Sequence, residues 1–460
     1  MRIALIGSLI ILSLLFSACS PAATPVPLLS AIPPGTLTAL APTATRVVPT
    51  RTPRPTLPPT ETPQPLPTAT PTEPPTLTPT PGPVEIDPLA PHLTRFGAGT
   101  VLRFTALRTF DGGLGWAVAE PRLDRDDHVV VTRNGGYQWR DVTPPQPADR
   151  ELREGWTATL YALNGETAWV VFADRATGSR PEQAWVWRTA DAGTTWQTSV
   201  ALDLGDSVGF RPLDLHFNDA AHGWLLVADA PDRDPTSRRL YATDDGGAHW
   251  APVSAWSSAT GEACATVAAR RTSLSEGYLF AECPGALDQQ PLLRQTGDGG
   301  QTWEPLALPL PKAFPQSFDG RCIATPEWVT SDDLVFRTDC LATETGALAQ
   351  FLLRAEADQP DGFRVAGFGQ AQLLDAAFFS AGDALLLVDP RPDRVGDLHI
   401  LRTADTALNT QRQRAVSWLG FLEAAGAGQI WAILTSDAST LYVSTDGGRT
   451  WGRTDAVVVE

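Results

Sequence analysis

An eight-residue unit recurs five times in this chain and ends each time on tryptophan. The copies are Thr132-Arg133-Asn134-Gly135-Gly136-Tyr137-Gln138-Trp139, Thr189-Ala190-Asp191-Ala192-Gly193-Thr194-Thr195-Trp196 and Thr243-Asp244-Asp245-Gly246-Gly247-Ala248-His249-Trp250, then Thr296-Gly297-Asp298-Gly299-Gly300-Gln301-Thr302-Trp303 and Ser444-Thr445-Asp446-Gly447-Gly448-Arg449-Thr450-Trp451. Such a repeat constrains the fold more than composition does, because each copy marks a unit that must stack on its neighbours to bury a core. A short Asp or Asn side chain accepts hydrogen bonds from backbone N–H groups just ahead of it and closes a turn. The second glycine supplies φ > 0 where a hairpin reverses. The tryptophan opens the next strand and buries a large ring. Acids placed in this way are structural; they are neither catalytic groups nor metal ligands.

The unit resembles the Asp box, or BNR repeat, written S/T-x-D-x-G-x-T-W, with Asn134 replacing Asp in the first copy. The resemblance implies a β-propeller with a box between the third and fourth strands of each four-stranded blade. Spacing gives the blade count. The box tryptophans are 57, 54 and 53 residues apart and then 148, close to three steps of 49. Two boxes have therefore decayed. One relic is Thr403-Ala404-Asp405, which lacks Gly and Trp, and the other is expected near Leu352-Leu353-Arg354. A second series, at Gly115-Trp116, Ala168-Trp169, Gly223-Trp224, Gly277-Tyr278 and Ile430-Trp431, leaves a gap of 153 residues, three steps of 51. Both series predict an all-β, seven-bladed propeller over 87–460, with six and eight as the neighbouring counts. Closing the array on itself disposes of the edge strands. Val457-Val458-Val459 or the segment after Pro88 supplies the sealing strand.

The amino terminus carries an address. Arg2 is followed by an apolar run from Ile3 to Phe16, then by the small residues Ser17 and Ala18. This is a signal-peptide pattern over 1–18. Leu15-Phe16-Ser17-Ala18-Cys19 resembles a bacterial lipobox. That resemblance implies cleavage before Cys19 and acylation of its sulfur and new amine. Several acyl chains on one residue make a stable membrane anchor, at about 0.8 kcal/mol per buried CH₂. Between Pro21 and Pro83 stand 20 of the 41 prolines, interleaved with threonine. Such a segment buries too little apolar surface to order itself, so 19–86 reads as an extended stalk that reaches roughly 200 Å at most.

Four further cysteines lie within the repeat region. Cys264 and Cys283 are 19 residues apart, and Cys322 and Cys340 are 18 apart. In each pair the first falls in the opening strand of a blade and the second at the end of the next strand. Export exposes them to an oxidising compartment, so Cys264–Cys283 and Cys322–Cys340 disulfides are expected. The second staples the blade that has lost its box. No CxxC or clustered His points to zinc, and no cofactor is expected.

The chain carries a formal charge of −17. Residues 1–85 hold four Arg and three Glu, which leaves −18 on the rest. That balance opposes binding to nucleic acid and to anionic lipid. In propellers of this type, loops between second and third strands emerge on the face opposite the boxes, and loops on a rigid scaffold are where binding lives. Four such loops carry an Asp-Arg dipeptide: Asp124-Arg125, Asp174-Arg175, Asp232-Arg233 and Asp393-Arg394. A ring of alternating charge on one face suits a protein edge or a glycan. The alternative is that these charged turns only keep the face soluble.

Asp-box propellers include sialidases, whose chemistry needs an arginine clamp, a Tyr nucleophile and acidic partners. Only five tyrosines occur: Tyr137, Tyr241 and Tyr442 lie in or beside boxes, Tyr278 in a strand core, and Tyr161 in an opening strand. No catalytic set stands out, and GxSxG and HExxH are missing. A closer resemblance in style is to the photosystem II stability and assembly factor-like propellers. It rests on Phe217-Asn218-Asp219-Ala220-Ala221-His222-Gly223-Trp224 and on Phe110-Asp111 through Gly115-Trp116. It implies binding to proteins at a membrane. The expected protein is thus an extracytoplasmic, lipid-anchored, monomeric binding module for a protein or glycan. A glycoside hydrolase and a membrane-complex assembly factor are the alternatives.

Overall fold

A computed structural model describes residues 95–459, apart from 122–125, 146–154, 177–179, 182, 316–317, 357–358, 360–361, 393–396, 407–408 and 427. The leader 1–18, Cys19, the stalk 19–86, and Asp124, Arg125, Asp393 and Arg394 lie outside the described residues. The described chain is all-β, built of four-stranded antiparallel meanders in sequence order.

The first meander is β1 (Leu102–Phe110), β2 (Leu114–Pro121), β3 (His128–Thr132) and β4 (Gln138–Asp141). The second is β5 (Trp156–Ala162), β6 (Ala168–Asp174), β7 (Val186–Thr189) and β8 (Gln197–Thr198). The third is β9 (Arg211–Phe217), β10 (Gly223–Ala228), β11 (Arg238–Thr243) and β12 (Ala251–Trp256). The next two meanders share an eight-stranded sheet. They are β13 (Ala265–Arg271), β14 (Gly277–Pro284), β15 (Leu293–Thr296) and β16 (Glu304–Pro305), then β17 (Gly320–Val329), β18 (Leu334–Ala342), β19 (Leu348–Ala355) and β20 (Phe363–Gly367). Then come β21 (Gln372–Phe378), β22 (Ala384–Asp389), β23 (Leu398–Thr403) and β24 (Thr410–Val416), followed by β25 (Gly420–Ala425), β26 (Gln429–Leu434), β27 (Thr440–Ser444) and β28 (Gly452–Asp455). A last strand, β29 (Val457–Val458), runs parallel to β4 on the outer edge of the first meander.

Burial explains the sequence pattern of each strand. Second strands are covered on both faces by neighbouring meanders, so β6, β10 and β22 are buried almost throughout. They therefore read as unbroken apolar runs rather than alternating ones. Outer strands meet solvent, and β4 alternates exposed and buried residues while β12 is nowhere fully covered. The strands of one meander face those of the next across apolar seams. Trp116 meets Trp196 edge-on at 6.3 Å, Trp224 meets Trp303 at 5.6 Å, and Trp139 meets Trp431 at 6.2 Å. In each pair a second-strand tryptophan receives the repeat tryptophan of the following meander. The last of these seams joins the first and last meanders: Leu102, Phe104, Trp139, Trp431, Leu441 and Val458 share one core, and β25 packs on β1. Val457 pairs with Gln138 on β4 and makes a single antiparallel bridge to Val101, just before β1.

The repeated turn falls between third and fourth strands at every copy. In the fourth, Thr296 Oγ1 donates to Asp298 Oδ1 (2.8 Å) and accepts from the Gly300 N–H (3.0 Å). Asp298 also accepts from the Thr302 N–H (2.9 Å) and hydroxyl (2.6 Å). Gly299 and Gly300, at φ 77° and 97°, are both left-handed, not the second alone. In the second copy Ala192 holds the first of these positions at φ 56°. The relic at Thr403 keeps the turn without Gly and Trp: Asp405 accepts from the Asn409 N–H (2.8 Å), Asn409 stands where three of the five copies have Thr, and exposed Thr410 takes the tryptophan position. Near Leu352-Leu353-Arg354 the structure places the third strand itself, β19. The β19–β20 connection is held instead by the Glu356 N–H donating to Gly362 O (2.9 Å) and by Arg364 pairing with Glu356 (2.7 Å).

Both expected disulfides are present, Cys264–Cys283 and Cys322–Cys340. The four cysteines form one row, since Cys283 lies opposite Cys322 where β14 pairs with β17, and Cys322 lies opposite Cys340. Disulfides fit an extracytoplasmic chain. Among the described residues, no helix is long and apolar enough to cross a membrane.

Candidate functional site

Two rims of the strand array carry polar side chains. At the rim formed by the second-to-third strand connections, the two described Asp-Arg dipeptides are held differently. Arg175 turns inward: its guanidinium pairs with Asp127 (2.5 Å) and Glu120 (3.1 Å) and donates to Trp156 O (3.2 Å). Asp174 caps its own turn by accepting from the Ala176 N–H (2.9 Å). Asp232 and Arg233 stay exposed in a turn held by the Arg233 N–H donating to Ala230 O (3.0 Å).

Burial pushes the Asp127 carboxyl above its ordinary value, although the Ala158 N–H and Arg175 both favour its charge. Asp127 accepts from the Ala158 N–H on β5 (2.9 Å). It thus ties the first meander to the second. Beside the exposed dipeptide, buried Arg238 donates to Thr266 O (2.6 Å) and Ser237 O (2.8 Å). Its guanidinium is brought down to about 10 by burial, against the pull of Asp229 and Asp234. Arg239 reaches Asp206 (2.7 Å) and Asp229 (3.5 Å).

The first strands form the inner surface, and here the structure reveals residues that the repeat reading passed over. Asp214 on β9 accepts from the Ala269 N–H on β13 (2.9 Å). Asp375 on β21 accepts from the Leu422 N–H on β25 (2.6 Å). The two occupy equivalent registers, opposite Leu226 and Leu387 on their second strands. A bulge sits at the residue before each, where the register shifts, and bulges re-aim side chains. Each carboxylate therefore bridges from one meander to the backbone of the next. The signal was present in the sequence as Leu213-Asp214-Leu215-His216-Phe217 and Leu374-Asp375-Ala376-Ala377-Phe378.

Two residues beyond that level stand Arg108, Tyr161, His216 and Arg270, on β1, β5, β9 and β13 in turn. They face Trp116, Trp169, Trp224 and Tyr278 on their second strands. Arg108 lies 4.9 Å from the Tyr161 ring centre, and the Tyr161 and His216 rings are 5.1 Å apart. Tyr161 donates its hydroxyl to Phe217 O (2.6 Å), and Arg270 pairs with Asp214. Burial first, and then the charges of Arg270 and Arg108, hold His216 well below the ordinary imidazole value, so it is neutral. Elsewhere, Phe379, Asp383, Arg402 and Arg449 line an open cleft of about 530 Å³ beside the last repeated turn. Arg402 there is already matched by Asp383 and stacked on Phe379. Among the described residues, no group of three or more His, Cys, Asp or Glu is placed to hold a metal.

The chain is similar to a GH74 xyloglucanase from Xanthomonas campestris, at 16% identity and a TM-score of 0.51 over 80% of this chain and 55% of that one. It is similar to a prolyl endopeptidase structure at 10% identity and a TM-score of 0.50, over 78% of this chain and 50% of that one. The fold is a β-propeller. At such identities the likeness shows architecture alone, and the chain spans about half the length of these two proteins. YCF48 from Cyanidioschyzon merolae aligns with a TM-score of 0.39 at 15% identity, over 80% of this chain and 98% of that one. No protein-family model matches the chain, and no curated protein matches it.

Proposed function

We propose that this protein is a lipid-anchored bacterial surface lipoprotein whose seven meanders are the blades of a closed Asp-box propeller, and that the propeller binds a protein or a glycan. Cys19 carries the anchor, and the Pro/Thr stalk of 19–86 holds the propeller off the membrane. One observation carries the binding reading. The carboxylates Asp127, Asp214 and Asp375 each accept a backbone N–H from the next meander. They brace the ring, and recognition then falls to the exposed loops, with Asp232-Arg233 at their edge.

Three measurements test this. Labelled palmitate enters the wild-type chain and not Cys19→Ser; equal labelling would remove the anchor. The full chain captures a partner from membranes or a glycan array, and the double change Asp232→Ala, Arg233→Ala weakens capture while leaving the melting temperature alone. Capture unaffected by that change would move the site elsewhere. The glycoside hydrolase reading draws on the fold shared with the xyloglucanase. Release of reducing sugar from any glycan by the purified chain would favour it over a binding module. Co-purification of the full chain with subunits of one membrane complex would favour the assembly-factor reading.

A further inference from the structure

Arg108, Tyr161, His216 and Arg270 form an arc on four consecutive first strands at one register level. The arc lies toward the end of the strands where the repeated turns sit, as Gly113, just after Phe110, touches Gly135 of the first turn. It is therefore at the opposite end from the loops invoked above. Arg270 is matched by Asp214. Arg108 is exposed, stacks on Tyr161 and Phe110, and makes no ion pair among the described residues. Beside it His216 keeps a buried Nδ1 without a hydrogen-bond partner. The arc thus brings together two guanidinium groups, one of them matched by Asp214, and a neutral imidazole, in a chain whose net charge is −17.

We propose that this arc is a binding site for a single carboxylate group, with Arg108 as its principal contact. A guanidinium presents a planar fork of N–H donors that matches a carboxylate. The stack on Tyr161 and Phe110 holds that fork in place and lowers the ordering cost of binding. One uncompensated cation calls for one negative charge. A doubly charged phosphate would bring a second charge for which the arc offers no free cation, since Arg270 is already matched by Asp214. Two sources present the required chemistry: a small organic acid, or the acid group of a uronate sugar.

The test follows the His216 imidazole resonance of the full chain while sodium acetate, sodium glucuronate, phosphate or chloride is added at constant ionic strength. Acetate and glucuronate should shift it saturably. Arg108→Gln should weaken both about tenfold or more, the loss expected for a charge-assisted hydrogen bond. The exposed position of Arg108 makes that variant safe for folding, and an unchanged melting temperature checks this. Tighter binding of glucuronate supports the site with a sugar acid as its source, whereas equal affinity supports it with the bare carboxylate. No saturable shift, equal affinity in Arg108→Gln, or an equal response to phosphate and chloride would overturn the proposal. The loops of the other rim play no part in these readings, so this site and the loop-binding reading fail separately.

Discussion

At the scale of single residues, the carboxylates of this protein work as connectors. Asp375 is buried and holds the Leu422 N–H of the next blade. Replacing it by alanine orphans a buried donor, at a cost of about 1–3 kcal/mol. Asp375→Ala should lower the melting temperature, and Asp375→Asn should recover part of the loss, because its carbonyl oxygen still accepts. An equal loss in both would show that charge, not acceptance, matters. Glycine is required at Gly247, which stands at φ 89° with a would-be Cβ 3.1 Å from the Trp169 ring. Gly247→Ala should cost about 1–2 kcal/mol from the left-handed backbone alone, read as a lower denaturant midpoint with an unchanged slope.

At the scale of elements, the fourth and fifth meanders differ from the rest. They fuse into one eight-stranded sheet through β14 and β17, and the cysteine row crosses that join. The fifth meander lacks the repeated turn and carries the Cys322–Cys340 staple between its first two strands. Closing a loop of this size stabilises by about 3 kcal/mol through the unfolded chain. The pair Cys322→Ala, Cys340→Ala should therefore lower stability by roughly that amount. A result near zero would mean that the fused sheet supplies the constraint alone. Repeat tryptophans act at the same scale. Trp139 is wholly buried against Trp431 and Phe104, so Trp139→Ala should cost about 3–5 kcal/mol.

At the scale of the molecule, acid acts on many connectors together. Hydrogen bonds from the Thr302 hydroxyl and N–H hold Asp298 at about 2, and those from Thr450 hold Asp446 at about 2. At Asp141 burial raises the value, but His128 and Thr143 outweigh it and leave it low. A carboxyl depressed in the folded state stabilises fully above its unfolded value of 3.8, and loses that contribution as pH falls through its folded value. Asp127, raised by burial, works in the opposite sense, and its contribution is lost as pH rises through its folded value. The sum predicts a fall in melting temperature from about pH 4 downward, steeper than one carboxyl gives. A flat profile from pH 4 to 2 would sink this account.

What the chain dictates by itself is local and periodic. The Thr–Asp–Gly–Trp units fix their own turns through bonds spanning four residues, and their regular recurrence announces a radial array of small sheets. Asp191, Asp245, Asp298 and Asp446 each accept the N–H four residues ahead, and Asn134 does the same from the Gln138 N–H (3.0 Å). The two disulfides were also legible, because their partners stand on neighbouring strands of one meander. Contacts between meanders were not. The inward turn of Arg175 onto Glu120 and Asp127, the bridges from Asp214 and Asp375, and the arc from Arg108 to Arg270 join residues about fifty positions apart. A two-residue period says which face a side chain takes, and not which blade it meets; only packing, with its bulges and its seam from β25 to β1, decides that.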